Sequence, residues 1–346
     1  MKRIATIVTA ALLAASPGLA QVSITAETAA PGGAPYLSTT TLGEVASAAG
    51  VADFQVLDSQ TLTNSLQNVA EGKSDMTAVP FILPFLLSKG AGPYGKLGPE
   101  KGAELIANVQ VLYTYNFGGM SLYHYNSSPV KGWGDLEGKN VVNGPPRGGA
   151  LSNARALIKI ATGLDDGSGY TGVQANWGQI VKTITDGSGD AVVLPIYFPD
   201  SRMIQASASG EMTLHSVPRE IFEGEAMQKY LKSPGTVPFV FDLTGYTPPD
   251  GITVVSEDDT FRSPATAGGE VVQASMDFDL AKSLTAAYLA NLDTLMAKAP
   301  FARNVSFGGI DAVVTGMCGP NPLKYHPGAV AAWEEAGYTV PDCAKP

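Results

Sequence analysis

Ala30-Pro31-Gly32-Gly33-Ala34 and Pro146-Arg147-Gly148-Gly149-Ala150 are two versions of one segment, about 115 residues apart. Each follows an apolar run and opens a stretch with helical patterning. Each is followed by a second shared unit. The first copy reads Glu71-Gly72-Lys73-Ser74-Asp75-Met76-Thr77-Ala78-Val79-Pro80, and the second reads Asp186-Gly187-Ser188-Gly189-Asp190-Ala191-Val192-Val193-Leu194-Pro195. Gly, Asp and Pro keep one spacing in both. Between the units, Leu62, Leu66 and Val69 match Trp177, Val181 and Ile184 at the same offset. Duplicated strand–loop–helix modules predict two lobes. A glycine-rich helix start in each, aimed at a shared cleft, predicts a clamp for a small anion.

Upstream of the first copy, Lys2 and Arg3 precede an apolar run, Ile4 to Ala15, and a small-x-small site at Gly18-Leu19-Ala20. This predicts a cleavable signal peptide over 1–20, export to the periplasm and a mature start at Gln21. The run is short for a bilayer span, and an uncleaved anchor is the alternative. The rest of the chain is long enough for two domains. The net charge of the full chain is −10 and becomes more negative once Lys2 and Arg3 leave. That excludes the clustered basic footprint of a nucleic-acid binder. An anionic ligand would need local help from arginine, lysine or helix N-termini.

The coarse reading is α/β. Val22 to Thr28, Phe54 to Leu57 and Met76 to Val79 read as strands, with helices over Ser38 to Ala49 and Thr61 to Glu71. That order implies right-handed crossovers. Residues 81–100 read as a surface excursion. Val109 to Tyr115 and Met120 to Tyr125 read as two strands joined at Gly118-Gly119. A second strand–helix set begins at Val141, with helical faces ending at Gly163 and Gly187. The Pro- and Gly-rich stretch 233–268 reads as a connection. Gly269 to Asp277 reads as a strand re-entering the first lobe, Leu280 to Ala297 as one long helix, and Ala329 to Ala336 as a late helix. The expected domains are 21–125 plus 269–346 for lobe I and 126–268 for lobe II.

Three stretches resemble a known family. Val69-Ala70-Glu71-Gly72-Lys73-Ser74-Asp75 is similar to its helix end before an apolar strand. Trp133-Gly134-Asp135-Leu136-Glu137-Gly138-Lys139-Asn140-Val141 resembles its strand lead-in. His326-Pro327-Gly328-Ala329-Val330, followed by Glu335-Ala336-Gly337-Tyr338, is similar to its C-terminal helix and is the most specific of the three. The family is the TAXI-type solute-binding proteins of TRAP transporters. The resemblance implies a two-lobe periplasmic binding protein of type II-like fold, with the ligand cleft between the lobes. It also implies TRAP membrane permease subunits as partners and a ligand among C4–C5 carboxylates and amino acids. The first loop departs from the family pattern, with only Tyr36 matching, and Arg147 stands where the second loop usually has small residues. Ligand identity therefore does not carry over.

The candidate ligand-binding residues fall at the two loops and the strand ends beyond them. Gly32, Gly33, Gly148 and Gly149 allow close backbone approach and offer free N–H groups to a carboxylate; an ordinary strand–helix turn is the plain alternative. Arg147 could hold a carboxylate through parallel hydrogen bonds, or pair with a local acid on the surface. Tyr36 could close on the ligand or pack on its own helix. Phe81, Pro195 and Tyr197 end equivalent strands, where ligands sit in α/β sheets. Trp177 stands at the same edge, and Tyr113 and Tyr115 alternate near the lobe crossing.

Other residues carry no chemistry in this reading. Asp75 and Asp190 read as turn residues bonding backbone rather than as a catalytic pair. His124, His215 and His326 are isolated and share no metal spacing. Cys318 and Cys343 are expected to form a disulfide in an oxidising compartment, with two free thiols as the rival. No nucleophile elbow, metalloprotease, P-loop or dinucleotide motif occurs. The expectation is a monomeric binding protein, not an enzyme, without cofactor or metal, taking a small anionic or zwitterionic ligand. The same fold serving an ABC importer or sensor kinase, and an exported enzyme, are the alternatives.

Overall fold

The computed structural model describes residues 21–346; the leader expected over 1–20 lies outside them. The first module is β1 (Val22–Glu27), α1 (Ala34–Ala48), β2 (Ala52–Leu57), α2 (Leu62–Ala70) and β3 (Met76–Pro80). Helices α3 (Ile82–Ser88) and α4 (Gly98–Ile106) lead into a long strand, β4 (Val109–Tyr125). The second module is β5 (Asn140–Gly144), α5 (Gly149–Thr162), β6 (Thr171–Gln174), α6 (Ile180–Thr185) and β7 (Ala191–Ile196). Then follow α7 (Ser201–Ser207), β8 (Met212–His215), α8 (Arg219–Glu223), α9 (Glu225–Tyr230), β9 (Thr236–Asp242) and β10 (Ile252–Val255). A second long strand, β11 (Thr260–Gln273), returns the chain to the first lobe. There α10 (Phe278–Ala290), α11 (Leu292–Ala297), α12 (Ala312–Thr315) and α13 (Pro327–Glu335) complete it.

The fold is mixed α/β, and its strand order shows the duplication. The path is β2-β1-β3-β11-β4-β7-β5-β6. β1 lies parallel between β2 and β3, and β5 lies parallel between β6 and β7. An antiparallel long strand follows in each half, β11 beside β3 and β4 beside β7. In each module the chain leaves the central strand to one side and then crosses back to the other. Each lobe therefore has a switch point where its connections diverge, and ligands of α/β sheets gather beyond the strand ends there.

The long strands join the lobes by changing partners. β4 pairs with β11 up to Gly119, with a register shift after Asn116, and with β7 from Gly119 onward. β11 pairs with β9 up to Thr266 and with β3 from Gly268. Glycine is required at this crossing. Gly118 has φ +85°, and a Cβ there would lie 2.4 Å from the Ile196 carbonyl oxygen. A Cβ on Gly268 would lie 2.4 Å from the Val79 carbonyl oxygen. A single buried cluster runs from the first lobe through the crossing to Leu194, Ile196 and Phe198. The other face of the second-lobe sheet has its own core, including Trp133, Leu157 and Val193.

Several sequence expectations change. β4 is one continuous strand rather than two, because Gly118-Gly119 marks a partner change within a sheet and not a turn. The stretch 233–268 holds β9, β10 and half of β11. Pro238 and Pro264 are tolerated because they face each other, on the edge strand β9 and its neighbour. β11 ends at Gln273, and Asp277 instead caps α10, accepting from Asp279 N and Leu280 N. The long C-terminal helix breaks at Asn291, whose Nδ2 donates to the Ala287 carbonyl. Residues 81–100 are an integral part of the lobe, with Leu83, Leu87 and Tyr94 buried.

Asp75 accepts from Thr25 N at 2.8 Å and Asp190 from Asn140 N at 2.9 Å. The two bonds are equivalent in the repeat, each fastening the start of a central strand. Cys318 and Cys343 form a disulfide. His326 caps α13 through Nδ1, which accepts from Gly328 N at 3.1 Å.

Two buried titratable groups sit in opposite lobes. His124 and His215 are not isolated, since the β4–β8 pairing brings their Nε2 atoms to 2.9 Å. His124 Nδ1 donates to the Tyr125 carbonyl, so its Nε2 accepts the one shared proton from His215. Burial and the neighbouring His124 push His215 down to about 4. In the first lobe, Glu270 Oε1 accepts from Thr39 Oγ1 at 2.9 Å and Tyr115 Oη at 3.0 Å. Burial pushes this carboxyl up to about 7.

These groups give opposite pH slopes. The unfolded chain takes up a His215 proton as pH falls from about 6.5 to 4, so that contribution is lost on acidification. The folded chain holds a Glu270 proton that the unfolded chain gives up between about 4.5 and 7, so that contribution is lost as pH rises. The Glu270 contribution is worth about 3 kcal/mol, and that of the less deeply buried His215 is smaller. Urea unfolding across pH 4–8 should show His215→Asn losing stability toward high pH and Glu270→Gln losing it toward low pH. Parallel slopes for both variants and the parent would contradict this assignment.

Candidate functional site

Both switch points open into one cavity of about 510 Å³ between the lobes. The first lobe contributes Ala29 to Gly33, the turn Ser59 to Thr63, Pro80 and Leu83. The second contributes Pro145, Arg147 to Ala150, Asn176 to Gly178, Pro195 and Tyr197. Phe117 and Thr266, one from each crossing strand, lie at the join.

The helix starts are built alike. α1 begins after Gly33 and α5 after Gly148, with no side chain capping either and no acid in either first turn. The leading N–H groups of a helix carry partial positive charge and need an outside acceptor. In α1, the Ala34 N–H donates to the Tyr197 hydroxyl of the other lobe at 3.2 Å. Burial pushes that hydroxyl up to about 12, so it keeps its own proton. Ser201 Oγ donates to the Gly32 carbonyl at 3.1 Å. The contact is reciprocal. Gly33 lies against Tyr197, while a Cβ on Gly149 would meet Ile82 at 3.0 Å and Pro80 at 3.5 Å. Each glycine loop thus rests near the strand end of the opposite module.

Eight of the ten residues expected from sequence line this cavity: Gly32, Gly33, Arg147, Gly148, Gly149, Trp177, Pro195 and Tyr197. Tyr36 is half-buried on α1, outside the lining. Phe81 is fully buried because it turns into the core at the start of α3. Tyr113 and Tyr115 are buried in the first lobe, Tyr113 stacked on Tyr288 and Tyr115 bonded to Glu270. Phe117 continues their alternation and is the ring that reaches the cavity. That period of two was visible in the sequence.

Arg202 was not anticipated. It follows a turn built on a cis Phe198–Pro199 bond and Asp200. Asp200 caps α7, accepting from Arg202 N and Met203 N, and also from Tyr197 N. The Arg202 side chain is 15 % exposed and lines the cavity. Its Nη2 donates to the Pro195 carbonyl and to Asp200 Oδ2. The guanidinium lies 5.3 Å from the Trp177 ring centre. Burial opposes its charge, but Asp200 keeps it firmly protonated. Arg147 is exposed at the loop and has no hydrogen bond or ion pair among the described residues. No group of three or more His, Cys, Asp or Glu placed to hold a metal occurs among them.

Gly32 has φ +96°, and a Cβ there would fall 2.7 Å from Ser201 Oγ. Gly32→Ala should therefore strain the loop by about 1–2 kcal/mol and push the lobes apart. Small-angle scattering should show a larger radius of gyration for this variant than for Ser201→Ala. Equal radii would mean that the contact does not set the lobe separation.

No curated protein matches the chain. Among solved structures, it is similar to a TRAP periplasmic solute-binding protein from Desulfovibrio salexigens with bound orotic acid. Identity there is 9%, over 82% of this chain and 81% of that one, with TM-score 0.46. It is also similar to a TRAP periplasmic solute-binding protein from Polaromonas sp JS666 bound to D-erythronate, at 11% identity over 92% and 88%, TM-score 0.43. A third is the substrate-binding protein of an amino acid ABC transporter, at 12% identity over 80% and 98%, TM-score 0.41. The model of the NMT1-like family matches residues 26–337, which take in all but the first strand residues of the two modules and every segment lining the cavity; the chain belongs to the NMT1-like family.

Proposed function

We propose that this protein is an exported solute-binding receptor of a TRAP-type transporter, of the TAXI class. It captures a small organic anion between its lobes and presents the closed form to membrane permease subunits. The observation that carries the reading is the cavity where both switch points and both uncapped helix starts meet. The resemblance of Trp133–Val141 and of the His326–Val330 helix start supports the class, and the apolar run after Lys2-Arg3 supports export.

In this reading Gly32, Gly33, Gly148 and Gly149 bring backbone N–H groups to the ligand, and Arg147 guards the mouth. Trp177, Pro195 and Tyr197 form the second-lobe wall. Lobe I comprises 21–125 and 269–346 and lobe II 126–268, hinged where β4 and β11 change partners. Opening breaks the Tyr197–Ala34 and Ser201–Gly32 bonds. Ligand restores the closed form by binding it more tightly than the open one. The protein does no chemistry on its cargo.

The test is a thermal-shift panel of organic acids, amino acids and neutral sugars, with calorimetry on each hit. A true ligand at a roughly hundredfold excess over Kd should raise Tm by roughly 5 °C and be recovered unchanged. Scattering with and without that ligand should show compaction. Turnover of any panel member, or no stabilisation by any, would overturn the proposal.

A further inference from the structure

The lining of the cavity bears on which acids it can take, an inference that rests on reading it as a solute site. No aspartate or glutamate lines it. Asp200 is nearby in the chain, but its oxygens are taken by three backbone N–H groups and by Arg202. The polar groups supplied by the first lobe are the hydroxyls of Ser59, Thr61 and Thr63 and the Gln60 amide. An amino acid closed into such a site would bury its ammonium without a counter-charge, which is costly. A keto or hydroxyl group in the same place needs only a hydrogen bond.

The guanidinium of Arg202 is set up in advance. Its Nη2 is fastened to the second lobe, while Nε and Nη1 have no acceptor among the described residues. Trp177 limits its swing on one side. A pre-positioned guanidinium gives a carboxylate a charge-assisted hydrogen bond from Nη1 or Nε and loses little freedom in doing so. The exposed Arg147 would have to be ordered by the ligand itself. Asp200 offsets the formal charge of Arg202, and the unpaired Nε and Nη1 N–H groups are what a carboxylate meets. The Arg202 turn also touches the α1 start twice, through Tyr197 Oη to Ala34 N and Ser201 Oγ to Gly32 O. An anion seated on Arg202 therefore adjoins the part of the first lobe that meets the second.

We propose that Arg202 is the anion seat of the cavity, and that the cavity selects carboxylic acids without an α-ammonium group, such as 2-oxo and 2-hydroxy acids, over the matching amino acids.

Calorimetry on matched pairs tests this: phenylpyruvate against L-phenylalanine, and 2-oxoglutarate against L-glutamate. The oxo acid of at least one pair should bind at least about tenfold tighter than its amino acid. Arg202→Gln should weaken that binding by about 30-fold or more, and Arg202→Lys by less. A tighter amino acid, or an unaffected Arg202→Gln variant, overturns the proposal. Neither result disturbs the solute-binding reading, which falls only if no solute of any class binds.

Formate, the smallest carboxylate, gives a readout that does not depend on finding the cargo. In 15N-labelled protein, formate should shift the Trp177 indole N–H resonance saturably, and the shift should vanish in Arg202→Gln. The resonance is assigned with Trp177→Phe. No saturable shift in the parent, or the same shift in Arg202→Gln, overturns the assignment of the seat.

Discussion

The antiparallel pairing of β4 with β11 governs everything else in this molecule. Both strands are long enough to belong to two sheets, and both change partners within a few residues of each other. Their shared register fixes how one switch point faces the other. The lobes are therefore halves of one continuous sheet and not domains tied by a linker. Motion between them must be taken up as twist and bend at Phe117–Gly119 and Ala265–Gly268. The buried cluster that passes through this crossing to Ile196 and Phe198 stiffens it further.

Duplication explains why the cavity is glycine-walled on both sides. A helix start can offer its N–H groups to a guest only if no side chain caps it and none stands in front of it. It can approach the opposite strand end only if no Cβ intervenes. Gly149 meets both conditions, while at Gly33 the Tyr197 hydroxyl of the opposite module takes the Ala34 N–H. The copies diverge in charge. At the corresponding offsets, Arg147 faces Pro31 and Arg202 faces Leu87, which is buried in the first lobe. The backbone contribution is thus symmetric, whereas the side-chain cations belong to the second lobe alone. In a chain of net charge −10 that asymmetry matters, because it concentrates positive charge where the protein as a whole repels anions.

Much of this was legible because the repeat records it. The Gly-Gly loops, the Gly–Asp–Pro units and the helix faces between them specify both modules, and equivalent aspartates do the same structural work in each. What escaped was what the repeat does not duplicate. Gly118-Gly119 has the composition of a turn, and only tertiary pairing shows that the strand runs through it. Pro238 and Pro264 look like linker residues until they are seen opposite each other at a sheet edge. His124 and His215 lie far apart in sequence and meet only through β4–β8 pairing. Arg202 had no charged counterpart in the first copy, so a reading built on the duplication passed over it. Phe81 was misplaced by one residue of geometry: Pro80 ends the strand toward the cavity, and the next residue turns inward.

The first-lobe helix start also depends on a buried acid that never reaches the cavity. Glu270 sits two residues beyond the crossing glycine Gly268, beneath α1. Thr39 on α1 lies within hydrogen-bond reach of Glu270, of Thr28 at the end of β1 and of the Pro35 carbonyl in its own first turn. One hydroxyl proton cannot serve every acceptor in that group, and Glu270 Oε2 is buried without a partner, which favours the neutral carboxyl. Through Thr39, Glu270 ties the aim of α1 to the strand that crosses between lobes. The helix start and the crossing strand therefore share one cluster of buried hydrogen bonds, so the aim of α1 is fixed relative to β11 rather than set by its own turn alone.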